Sequence, residues 1–182
     1  MVYVMLANGF EEIEAIEPID ILRRGGADVT TVSVTDTQYV TGAHNIRVCA
    51  DILIKDVNKD DMEMIMLPGG AGHTILDASD EVHKLIDFAF KNDRFVTAIC
   101  ASPSIIGKMG ILDGKNATCY PGFEEFCHGA IMTHEKAVKD GKIITGRGPG
   151  AAAEFGFELL KALKGEYIAN TLRQEMQYNY LR

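Results

Sequence analysis

What the sequence lacks narrows its reading first. No run approaches eighteen apolar residues, which excludes a helix crossing a bilayer. The opening stretch, MVYVMLANGFEE, has no basic n-region and turns acidic after ten residues, so no signal peptide is expected. Cysteine is sparse, at positions 49, 100, 119 and 127, with no Cys-x-x-Cys pair. That pattern excludes a disulfide scaffold and predicts an intracellular, cytoplasmic protein with free thiols. No cluster of four Lys/Arg exists, and the formal net charge is −8. The mean field therefore opposes binding to nucleic acid or an anionic membrane. No G-x-G-x-x-G follows a strand, and glycine-rich 146–150 lacks the Lys-Ser/Thr of a phosphate loop, so no nucleotide cofactor is expected. No metal is expected either, because Cys119, Cys127, His128 and His134 match no structural zinc spacing.

What remains is a chain of 182 residues, 47% hydrophobic and 24% charged, with 18 Gly and 5 Pro. These values fit one domain, 1–182, able to bury roughly 70% of its unfolded surface without a metal or disulfide. Short buried runs alternate with helical patterns. Strands are predicted at 2–7, 29–34, 64–67 and 95–99, with helices at 11–24, 81–91, 103–109, 151–163 and 166–177. Pro18 should bend or split the first helix. Residues 36–55 read as small peripheral strands, 117–120 as a further parallel strand, and Asp140-Gly141 as a hairpin turn. Repeated βα units imply an α/β fold, a mostly parallel central sheet with helices on both faces. Ligands of such sheets bind beyond the carboxyl ends of the strands. The loops there are 8–14, 68–73 and 100–102.

Cys100 is the first candidate. A buried strand delivers it, and Ala101, Ser102 and the helix-starting Pro103 follow. This is the setting of a nucleophile elbow, where helix N–H groups should lower the thiol pKa. A buried structural thiol fits the same position. Pro68-Gly69-Gly70 follows another strand, and its N–H groups can approach an oxyanion closely, although it also reads as a plain turn. Glu11, Glu12, Glu14 and Glu17 crowd the first helix. Glu14 has Pro18 and Ile21 at i+4 and i+7, so it is the carboxyl most apt to rest on apolar surface and keep its proton; a solvated surface position is the alternative. No histidine forms an obvious dyad with Cys100. By loop position His73 is nearest, and His128 is a second neighbour of the cleft.

Four segments together resemble one family: GFEEIEA at 9–15, LPGG at 67–70, AICASP at 98–103 and GRGPG at 146–150. The sequence is similar throughout to the ThiJ/PfpI superfamily, closest to its Parkinson-disease-associated deglycase branch and related by fold to class I glutamine amidotransferases. The resemblance implies a flavodoxin-like sandwich and a homodimer with the first helix near the contact. It implies that Cys100 is the reactive cysteine at a strained elbow and Glu14 the protonated glutamate beside its sulfur. Gly69, Gly70 and Ala101 match the oxyanion backbone. Arg24 would approach the partner's cleft, and Arg147 and Pro149 would wall it. Two departures stand out. Ala101 replaces the histidine that follows the cysteine in PfpI-type peptidases, which argues against peptidase activity. Tyr120 precedes Pro121 where the deglycase branch has a histidine.

These features predict a cofactor-independent glyoxalase or deglycase that acts on small 2-oxoaldehydes, such as methylglyoxal, or on their adducts. The alternatives are a redox-sensing or chaperone-like protein working through Cys100 oxidation, and a ThiJ-like thiamine-linked protein.

Overall fold

The computed structural model describes residues 1–178. Its elements run β1 (Val2–Leu6), α1 (Glu12–Arg24), β2 (Val29–Ser33), β3 (Tyr39–Thr41), β4 (Arg47–Cys49), β5 (Ile52–Leu53), β6 (Met64–Leu67), α2 (His73–Asp77), α3 (Asp80–Lys91), β7 (Phe95–Ile99), α4 (Pro103–Lys108), β8 (Asn116–Ala117), β9 (Ile131–Met132), β10 (Ala137–Asp140), β11 (Ile143–Gly146), α5 (Ala152–Lys164) and α6 (Glu166–Glu175). The main sheet has seven strands in the order β10-β11-β7-β6-β1-β2-β5. All its pairings are parallel except the β10–β11 hairpin.

Side-chain alternation explains why both faces of this sheet are covered. Val2, Val4, Leu6, Met64, Met66, Ile99 and Ile144 point to one face, where α1, α5 and α6 close the core. Tyr3, Met5, Ile65, Leu67, Val96 and Ala98 point to the other, beneath α2, α3 and α4. The helix patterns follow suit: α3 buries Val82, Ile86 and Ala89, and Ser79 caps its start by accepting from the Val82 N–H.

One expectation changes, and another is narrowed to one of its alternatives. Residues 117–120 do not join the main sheet; β8 covers only Asn116–Ala117 and pairs in parallel with β9 in a separate two-stranded sheet. Cys119 is pulled inward instead, and the Tyr120 N–H turns to the Cys100 carbonyl, which ends the ladder. In addition, α1 is not split at Pro18. It packs closely on α5, where a Cβ on Gly156 would come within 3.1 Å of the Pro18 Cα.

Candidate active site at the carboxyl edge of the sheet

The loops after β1, β6, β7 and β11 meet at one edge and are laced by backbone hydrogen bonds. The Glu11 N–H donates to the Gly69 carbonyl (3.1 Å) and the Gly72 N–H to the Gly9 carbonyl (2.9 Å). Cys100 is gripped on both sides: its N–H donates to the Gly146 carbonyl (2.9 Å) and its carbonyl accepts from the Tyr120 N–H (2.8 Å). These bonds hold Cys100 at φ +65°, a left-handed conformation costing a non-glycine residue about 1–2 kcal/mol. The Ser102 hydroxyl, fully buried, donates to the Pro68 carbonyl at 2.5 Å and ties the elbow to the neighbouring loop.

Glu14 is fully buried. Its Oε2 accepts from the Gly69 N–H at 2.9 Å. Oε1 has no hydrogen-bond partner among the described residues. Burial raises the Glu14 pKa from 4.5 to about 7, although the Cys100 thiol and the Gly69 N–H pull it back down. Only glycine fits at 69, since a Cβ would lie 2.5 Å from the Cys100 Cβ and 2.6 Å from Glu14 Oε2. Gly70 has φ +79°, and a Cβ there would meet the Glu11 nitrogen at 2.5 Å.

The thiol pKa corrects an expectation. Burial, then the charge and hydrogen bonding of the Glu14 carboxylate, push Cys100 from 9.0 up to about 12. The N–H groups of Gly70 and Ala101 face the sulfur and favour its anion, but they do not prevail. The helix start cannot reverse this: α4 has six residues, so its dipole is slight, and Cys100 is only 8% exposed. The resting pair is thus a thiol beside a carboxyl that titrates near neutrality.

Other sequence candidates scatter more widely. Gly69 commits its N–H to Glu14, so Gly70 and Ala101 are the N–H groups left facing the sulfur. His73 caps the Gly70 carbonyl through Nδ1 (2.9 Å) and packs edge-on against Phe123. Tyr120, Arg147 and Pro149 line one groove with Pro121, Lys136 and Gly148. There Arg147 Nη1 contacts His134 Nδ1 at 3.2 Å. His128 lies exposed in a turn beyond this wall. Arg24 is not brought to the site within one chain: it sits at the opposite end of α1 from Glu14, exposed and paired with Asp20 at 2.7 Å.

The sequence reading overlooked Gly146 and the Tyr120 N–H as anchors of the elbow, because those contacts cross between distant segments. It also missed Glu11, Glu12 and His44, whose ligand atoms lie within 4.8 Å of one another and have the chemistry to hold a divalent cation. Their contacts are already explained without one. Glu12 accepts from the His44 N–H (2.7 Å) and approaches His44 Nδ1 at 2.9 Å, clamping the 42–46 loop onto α1.

Comparison with known proteins matches residues 1–162 to the DJ-1/PfpI family. Protein DJ-1 homolog B of Arabidopsis thaliana is 40% identical over 91% of this chain. The chain spans 38% of that relative's length and 44% of homolog A's. The Caenorhabditis elegans protein named glutathione-independent glyoxalase DJR-1.2 is 31% identical, covering 89% of this chain and 87% of its own. The solved structure of oxidized Toxoplasma gondii DJ-1 superposes with a TM-score of 0.93, at 32% identity and 98% coverage of both chains. With the family model spanning most of the sequence and the fold matched over 98% of the chain, the chain belongs to the DJ-1/PfpI family.

Proposed function

We propose that this protein is a cysteine-dependent, glutathione-independent enzyme converting small 2-oxoaldehydes such as methylglyoxal to 2-hydroxy acids. The observation that carries this reading is the buried Cys100–Glu14 pair, whose carboxyl titrates at about 7. That value suits a group that must both take and return a proton near neutral pH. The similarity to a relative named as a glyoxalase supports the same chemistry.

In the proposed mechanism the Glu14 carboxylate takes the thiol proton as sulfur attacks the aldehyde carbon. The carbonyl oxygen, held by the Gly70 and Ala101 N–H groups, then receives that proton to give a hemithioacetal. Glu14 next removes the proton from the same carbon and delivers it to C2 through an enediol, leaving a 2-hydroxyacyl thioester. Water cleaves the thioester, releasing lactate and the thiol. On glycated amines the same attack on the adduct's carbonyl would free the amine. No step calls on a cofactor. We place the work in the cytoplasm, where thiols stay reduced. We also read the exposed Ile13 and Ile16 of α1, beside Ile46 and Met176, as a homodimer contact that would bring Arg24 toward a second site.

The test is lactate formation from methylglyoxal by the pure protein without glutathione. Turnover abolished by Cys100→Ser and by Glu14→Gln supports the reading; absent turnover, or turnover that survives Cys100→Ser, overturns it. A second reading, redox sensing through Cys100 sulfinate, is favoured by the strained elbow and by the likeness to an oxidized DJ-1 structure. Two oxygens gained at Cys100 under mild peroxide, with no lactate formed, would select it.

A further inference from the structure

Two buried hydroxyls stand at the start of α4, and their bonds run in different directions. Ser104, 1% exposed, donates to the Ala101 carbonyl at 2.6 Å, inside its own turn. Ser102 occupies the N-cap position, where a serine ordinarily accepts from a helix N–H; its side chain makes no such bond. It reaches out of the turn instead and donates to the Pro68 carbonyl, 34 residues away, at 2.5 Å. The β6–β7 register ends at Leu67 and Ala98, so this bond joins the two loops beyond the ladder. The peptide it grips serves the site directly. That peptide, Pro68–Gly69, is held at both ends, its carbonyl by Ser102 and its N–H by Glu14 Oε2 at 2.9 Å. The fit around it is close, since a Cβ on Gly69 would lie 2.5 Å from the Cys100 Cβ.

We propose that Ser102 is a positioning residue for the Cys100–Glu14 chemistry, an assignment that rests on that proposed activity: its hydroxyl acts on Glu14 through the Pro68–Gly69 peptide. A hydrogen bond to a carbonyl polarises the amide, so the N–H at its far end becomes a stronger donor. Ser102 therefore fixes the direction of the Gly69 N–H and strengthens its hold on the Glu14 carboxylate. It also anchors the loop that carries the Gly70 N–H, which donates to no oxygen among the described residues and stays available to an oxyanion. Without the hydroxyl, the buried Pro68 carbonyl loses this donor. The loop is then free to shift against the elbow, and the carboxylate loses part of its stabilisation. Ser102 itself forms no bond to the substrate.

The experiment compares Ser102→Ala with Ser104→Ala, which deletes a hydroxyl that is just as buried but stays inside the turn. Lactate formation is followed against pH, and Glu14 is titrated by carboxyl-carbon NMR, its signal assigned by its loss in Glu14→Gln. Ser102→Ala should lower kcat about 10–100-fold with KM within about threefold. Its Glu14 signal should titrate at higher pH than in wild type. Ser104→Ala should leave both unchanged. Ser102→Cys, similar in shape but a weaker donor, should show the same changes to a smaller degree, and it decides the matter if Ser102→Ala does not fold. The proposal is overturned if kcat holds within about threefold when the hydroxyl is removed, if KM alone rises, if Ser104→Ala loses as much, or if the Glu14 titration does not move. Should wild type form no lactate, the glyoxalase reading falls, and the carboxyl titration alone decides whether Ser102 positions Glu14.

Discussion

Cys100 and the Cys119–Cys127 pair are all buried, on opposite faces of one sheet, yet their surroundings ask different things of a thiol. Cys100 faces a carboxyl and the N–H groups of Gly70 and Ala101, on a backbone held at φ +65°. Cys119 and Cys127 sit in the apolar core of the other face. Burial penalises the thiolate at all three. What differs is where a displaced proton goes: at Cys100 a carboxyl poised near neutral pH stands ready for it, and the apolar cluster around Cys119 and Cys127 gives no such group. A buried thiol suits acid–base chemistry when it has a proton acceptor of matched pKa, and otherwise serves packing.

The strongest way to break this contrast is Glu14→Gln, which keeps the shape and removes the acceptor. Lactate formation should fall about 10²–10⁴-fold, whereas Cys119→Ser and Cys127→Ser should leave it within about threefold in the folded fraction. An equal loss in all three variants would erase the contrast.

A stability measurement comes next in size. Glu14 has its folded pKa raised from 4.5 to about 7, so between those values the native state holds a proton that the unfolded chain has released. Stability from the buried neutral acid is complete below pH 4.5 and is lost as pH rises through 7, by about 3 kcal/mol. Urea denaturation of wild type minus Glu14→Gln across pH 4.5–7.5 should reveal that slope. A flat difference would place the Glu14 titration elsewhere.

Two glycine substitutions sharpen the regional comparison. Gly69→Ala drives a methyl against Cys100 and Glu14, and Gly107→Ala drives one against the Cys127 backbone. Each should cost about 1–3 kcal/mol of stability. In the folded fraction Gly69→Ala should lose turnover, whereas Gly107→Ala should keep it. The smallest effect belongs to Tyr120→Phe. The Tyr120 backbone N–H, not its hydroxyl, holds Cys100, so kcat/KM should change less than about threefold.

Much of the architecture was legible because buried parallel strands announce themselves as short apolar runs, as Met64–Leu67 and Phe95–Ile99 do. The Cys100 elbow was legible from the small residues and proline that follow a strand, and Glu14 from the apolar residues a turn or two beyond it. Long-range contacts were not. Nothing local at 119 signals that its backbone leaves the ladder. The thiol pKa failed for a related reason: a helix start can be read from Pro103, but neither the six-residue length of α4 nor the depth of the sulfur can. The commitment of the Gly69 N–H to Glu14 likewise required the β1 and β6 loops to meet.

The central claim is that Glu14, as a carboxylate, holds the proton on Cys100 and takes it only during attack. Its most direct test is the pH dependence of Cys100 alkylation, read by mass spectrometry on the tryptic peptide Phe95–Lys108, in wild type and Glu14→Gln. The account predicts a wild-type thiol titrating well above 9.0, toward about 12, and a lower pKa in Glu14→Gln despite its lost turnover. A wild-type value at or below 9.0, or one that rises when Glu14 is replaced, would contradict it.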